Sequence, residues 1–168
     1  MRRSLLAVAA IACLAWGQAQ ASSVACFAPD DAKQAELRRM QQEFTVAALS
    51  CAVRAEPGAL VARYNEFVGK FERVLRDNAL ALAAHFSRHG GATGFDSWMT
   101  QLANAAAERI ATEPGYCQRL WTNLDQALST APADLADFAA NRSEASTLVP
   151  VCPSRRAADG ETVGLNKQ

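Results

Sequence analysis

Residues 59–88 read ALVARYNEFVGKFERVLRDNALALAAHFSR. The spacing of Leu60, Tyr64, Phe67, Phe71, Leu75, Leu82 and Phe86 in this stretch places the large apolar side chains along one face of a helix. At ~1.5 Å per residue such a helix reaches about 45 Å, and Gly69 or Asn78 is the position where a bend is expected. Upstream, Glu56-Pro57-Gly58 ends an earlier helix whose stripe is Leu37, Met40, Phe44, Ala48 and Cys51. Its start is expected at Asp30 or Asp31, with Asp31 and Gln34 forming a capping box. Downstream, His89-Gly90-Gly91 supplies a C-terminal cap, and Thr93 with Asp96 opens a third helix carrying Phe95, Met99, Leu102, Ala106 and Ile110. Pro114-Gly115 stops that helix. A fourth follows from about Tyr116 to Ser129 with Leu120, Trp121, Leu124 and Leu128 inward, and Pro132 starts a shorter fifth through Leu135 and Phe138. No run alternates with the period of two that a half-buried strand needs. The chain is therefore expected to be all-α, an antiparallel bundle of four to five helices whose short connections make neighbours run up and down in turn.

The first residues predict export. Arg2 and Arg3 precede an apolar run from Leu5 to Trp16, and Ala19-Gln20-Ala21 offers small residues where signal peptidase cleaves. Residues 1–21 are read as a signal peptide, 22–153 as one helical domain and 154–168 as a flexible tail, with Ser22 the first mature residue. Lipid attachment at Cys13 or Cys26 is the competing reading; neither cysteine has the leucine three residues before it that such sites carry. The apolar run is shorter than the ~20 residues of a membrane span, so no transmembrane segment is expected after the signal is removed. Of 17 basic residues, removal of Arg2 and Arg3 leaves 15 against 17 acidic, a formal net charge of −2. That balance gives no electrostatic footprint for nucleic acid.

Cys13 leaves with the signal, so five cysteines become four in an oxidising compartment. In an up-and-down bundle Cys51, ending the first helix, and Cys117, beginning the fourth, fall at one end. Cys26, before the first helix, and Cys152, after the fifth, meet at the other. The expected pairing is Cys51–Cys117 and Cys26–Cys152, and no Cys-x-x-Cys spacing points to redox catalysis.

Candidate chemistry is sparse. His85 and His89, four residues apart at a helix end, form a weak candidate metal pair with Asp96 from the following segment. No Glu follows His85 as in the His-Glu-x-x-His pattern, and the helix C-terminus accounts for a histidine there. Gly90-Gly91-Ala92-Thr93-Gly94 lacks the ending of a phosphate loop, and no Gly-x-Ser-x-Gly elbow is present. Glu36, Glu43, Glu66 and Glu72 lie among Arg and Lys at helical spacing and read as a solvated, ion-paired face. Trp98 and Trp121 read as core, with an apolar pocket between helices as the alternative. Asn65, beside Tyr64, is expected to hydrogen-bond a neighbouring helix or the Glu56-Pro57-Gly58 turn. No catalytic residue and no cofactor site is assigned.

As a set, Ala47-Ala48-Leu49-Ser50-Cys51, Arg63-Tyr64-Asn65-Glu66-Phe67-Val68, Phe71, His85-Phe86, Gly90-Gly91, Thr100-Gln101-Leu102-Ala103-Asn104 and Tyr116-Cys117 resemble a group of small exported helical proteins of α-proteobacteria that has no assigned activity. The resemblance covers roughly residues 40 to 125. It implies an exported Gram-negative protein, supports Cys51 and Cys117 as partners, and carries over no catalytic residue. The expected role is a non-enzymatic structural or partner-binding module of the cell envelope, whose partner would be another envelope protein. The alternative is a metal-binding protein or enzyme using His85, His89 and Asp96.

Overall fold

A computed structural model describes residues 26–51, 58–89, 94–142 and 146–153. They form α1 (Pro29–Ser50), α2 (Ala59–His89), α3 (Gly94–Thr112), α4 (Tyr116–Ser129) and α5 (Leu135–Arg142), with a 3-10 turn at Pro132–Asp134 leading into α5. The all-α architecture is thus as the spacing predicts. The leader with Cys13 and Ser22, the Glu56-Pro57 step, Gly90, Gly91, Thr93 and the stretch from Ser154 onward lie outside the described residues.

Local chemistry explains most helix boundaries. Gly58 adopts φ 88° just before α2 and Gly115 φ 75° just before α4, left-handed conformations in which a Cβ would be strained. α2 runs as one helix through Gly69 and Asn78. The start of α1 differs from expectation: Ala28 is the N-cap, no side chain caps it, and Asp31 and Gln34 do not form the capping box. Pro29 at the first helical position accounts for this, because its fixed φ starts the helix earlier and leaves Asp31 inside the first turn.

α1 packs against all four other helices. Its apolar stripe of Leu37, Met40, Phe44 and Ala47 is buried, and so are Ala32, Ala35 and Arg38 on other sides. A helix covered on several faces must satisfy its polar groups inside the protein. It does so in part, along a polar seam with α2 that still leaves Arg38 Nε, Asn78 Oδ1 and His85 Nε2 buried without a hydrogen-bond partner. His85 Nδ1 lies 3.3 Å from Asp31 Oδ2, and Asn78 Nδ2 donates to Gln34 O at 2.8 Å and Gln34 Oε1 at 2.9 Å. Arg38 Nη2 donates to the Leu75 carbonyl at 2.9 Å, and the Thr45 and Tyr64 hydroxyls bond at 2.8 Å. The partners advance along α1 as they retreat along α2, the register of an antiparallel pair. Asn65, expected to bond a neighbouring helix, is exposed; its neighbour Tyr64 makes the bond between helices.

The apolar core has two parts. One joins Phe44, Phe67, Phe71, Leu120, Leu124 and Leu135, with Phe44 edge-on to Phe67 at 5.4 Å between ring centroids. The other gathers Phe27, Leu82, Phe86, Trp98, Leu102 and Val149. This second part is closed by the chain ends. Phe27 N donates to Pro150 O at 2.8 Å and Cys152 N to Phe27 O at 2.9 Å, a short parallel bridge that seats Phe27 against Trp98 and His85. Trp98 Nε1 donates to the Leu148 carbonyl at 2.7 Å, so the indole is buried with its polar atom satisfied.

Both expected disulfides are present. Cys51–Cys117 ties the end of α1 to the first turn of α4 with Cα atoms 5.8 Å apart, and Cys26–Cys152 joins the segment before α1 to the segment after α5 at 4.8 Å. Among the described residues no helix is long and apolar enough to cross a membrane.

Candidate functional site

The histidines that the sequence sets side by side have different surroundings. His85 is 2% exposed, stacked on Phe27 with ring centroids 4.6 Å apart, and its Nε2 is buried without a partner. It belongs to the core itself. His89, with its ring centroid 5.0 Å from that of His85, is exposed, as is Asp96. Among the described residues no three His, Cys, Asp or Glu side chains come together in a way that holds a metal ion, and His85, His89 and Asp96 do not form such a group. The acidic side chain that meets His85 is Asp31, from α1. Trp98 and Trp121 lie in different parts of the core: Trp98 is in the second cluster and Trp121 packs against the first.

The carboxylates divide into two sets. Glu66 and Glu72 are solvated as expected, with side chains 56% and 77% exposed and partners Arg63 and Arg76 on the same helix. Glu36 and Glu43 are not. Their side chains are only 12% and 14% exposed, because α3 and α4 cover this face of the central helix. Arg39 bridges the two, with Nε 2.7 Å from Glu36 and Nη1 2.9 Å from Glu43. Arg109 from α3 reaches the same Glu43 at 3.7 Å and holds Glu113 at 2.7 Å, and Arg119 from α4 completes the chain at Glu113.

Tyr116, the first residue of α4, forms the floor of this cluster. Its ring carries the guanidinium of Arg109 at 4.4 Å and that of Arg119 at 5.2 Å. Its buried hydroxyl makes no hydrogen bond of ordinary geometry, although it is close enough to Glu43 for the two to affect each other's ionisation. Burial, and then the Glu43 charge, push the phenol pKa far up, so Tyr116 stays a neutral O–H. Burial likewise raises the Glu43 pKa against the pull of Arg39 and Arg109. Burial opposes the charge of Arg39, but Glu43 and Glu36 outweigh it and hold its pKa above the ordinary value. The hydrogen bond from Arg109 draws Glu113 below the ordinary carboxylate range.

Two cavities share Arg39, Glu43 and Arg109 as a common wall. One, of 290 Å³, extends over Tyr116 to Arg119, Asn123 and Arg142; the other, of 340 Å³, extends to Leu102, Ala106 and Leu148. No local signal points to this arrangement in the sequence. Glu36, Arg39 and Glu43 are legible as intrahelical pairs, as are Arg109 and Glu113, but the link between them is made by packing of α3 and α4 on α1. Compared with family models, curated proteins and solved structures, the chain matches none.

Proposed function

We propose that this protein is an exported, periplasmic binding module of the cell envelope, acting through contact with a partner and not through catalysis. The observation that carries this reading is the pair of disulfides, one at each end of the bundle, which clamp segments 126 and 66 residues apart in the chain. Such bonds persist in oxidising compartments, and they hold helical surfaces rigid for recognition. The signal-like residues 1–21 and the resemblance to exported α-proteobacterial proteins support the same compartment. The chemistry of the first cavity supports binding over catalysis: its wall is dominated by arginines, which keep their charge and do not exchange protons near neutral pH. Tyr116, its pKa pushed up by burial, is equally inert as an acid or base.

Intact-mass analysis of the exported chain under non-reducing conditions tests the compartment. The expected product starts at Ser22 and carries two disulfides; a diacylglyceryl increment on an N-terminal cysteine replaces the soluble form with an anchored one. A deletion strain complemented with His89→Ala or Asp96→Ala tests the mode of action. Full complementation by both is expected, and failure of either at normal protein levels returns the reading to a metal site or enzyme.

A further inference from the structure

The arginines that line the 290 Å³ cavity point to its occupant. Among the described residues four guanidiniums line it, from Arg39, Arg109, Arg119 and Arg142, with one carboxylate, that of Glu43. Glu36 and Glu113 pair with three of these arginines from the side. Arg142 is held differently from the other three. Its Nη1 donates at 2.7 Å to Asn123 Oδ1, a neutral acceptor, and its guanidinium lies 4.8 Å from the Phe138 ring centroid. Among the described residues no carboxylate forms an ion pair with it. Arg119 is held close by through Glu113 and the face of Tyr116, so both guanidiniums are already oriented.

We propose that this cavity binds a small oxyanion, with Arg142 and Arg119 as the principal cationic contacts. A guanidinium presents parallel N–H donors matched to the paired oxygens of a carboxylate or phosphate. The volume, near the lower end of the range for small-molecule sites, accommodates a phosphate or a short dicarboxylate. Prior orientation of the donors by Asn123, Glu113 and Tyr116 reduces the ordering cost of binding.

This inference rests on the reading of the chain as a binding module. It is tested on the purified, oxidised mature chain by calorimetric titration at low ionic strength, with inorganic phosphate in one arm and succinate in the other. Saturable binding of at least one probe is expected, weakened tenfold or more in Arg142→Gln and in Arg119→Gln, with the thermal midpoint of Arg142→Gln in the absence of anion unchanged. The arm that binds more tightly identifies the source of the oxyanion. No saturable binding of either probe, or binding that neither substitution weakens, overturns the proposal. That failure leaves the export and partner-binding reading standing, because the titration depends on neither compartment nor partner.

Discussion

Asn78, at the middle of α2, directs its amide nitrogen at both the backbone oxygen and the side-chain oxygen of Gln34 on α1, at 2.8 and 2.9 Å. Two acceptors from one residue meeting one buried donor group define where the two helices sit along each other. A shift of either helix by one turn separates the pair and leaves Asn78, 2% exposed, without a partner.

Replacing Asn78 by Ala is therefore expected to lower the unfolding free energy by about 1–3 kcal/mol, the cost of losing both hydrogen bonds of a buried amide. Gln34→Ala should cost less, since the backbone acceptor remains. Asn78→Asp should cost more than Asn78→Ala, because it sets a carboxylate against two oxygens. Urea denaturation of the three variants gives the order directly.

The two histidines should separate cleanly under substitution. His85→Ala removes a buried ring stacked on Phe27 and is expected to destabilise the fold on the order of 2–4 kcal/mol. His89→Ala alters an exposed helix end and should leave the thermal midpoint within about a degree or two of the parent, as exposed sites usually do.

Alkaline stability should depend on Tyr116. Its ordinary pKa is 10.0, and the folded protein raises it, so above that pH the unfolded chain loses a proton that the folded chain keeps. Stability is then full below about pH 10 and falls as pH rises through the unfolded value toward the folded one. Tyr116→Phe should flatten this decline. At neutral pH it should change stability by about 1 kcal/mol or less, because the hydroxyl it removes makes no hydrogen bond of ordinary geometry. Equilibrium unfolding from pH 7 to 11 measures both effects.

The disulfides should have distinguishable roles. Cys51→Ser with Cys117→Ser opens a 66-residue loop and is expected to cost up to ~4 kcal/mol. Cys26→Ser with Cys152→Ser should also release the segment 148–152 from over Trp98, which is fully buried and bonded to the Leu148 carbonyl. A red shift and increased quenching of tryptophan emission, seen in the second pair and not in the first, reports this.

The repeat of apolar residues from Leu60 to Phe86 and the breakers at Gly58 and Gly115 are local, which is why the helices and their order are legible in the sequence. Antiparallel succession then suffices to pair the cysteines. The centrality of α1 is a different matter. Asp31, Gln34, Arg38 and Thr45 have the spacing of a polar outer face, and only the packing of α2 over them makes that face an interface. Glu43 likewise resembles any carboxylate in an i,i+4 pair until Arg109 arrives from α3. The oxyanion cavity depends on side chains from α1, α3, α4 and α5, a convergence that no window of sequence contains. Phe27 was as hard to read, since a lone aromatic next to a cysteine lacks the neighbours that establish a period.

The bond between Cys26 and Cys152 has a mechanical consequence. It spans 126 residues and lies near the outer edges of the described residues, so tension applied on either side of Cys26 and Cys152 runs along a covalent path through the sulfur atoms. None of the five helices is in series with that load. Pulled from its termini, the domain transmits force as a short inextensible link while its core and its cavities remain unloaded.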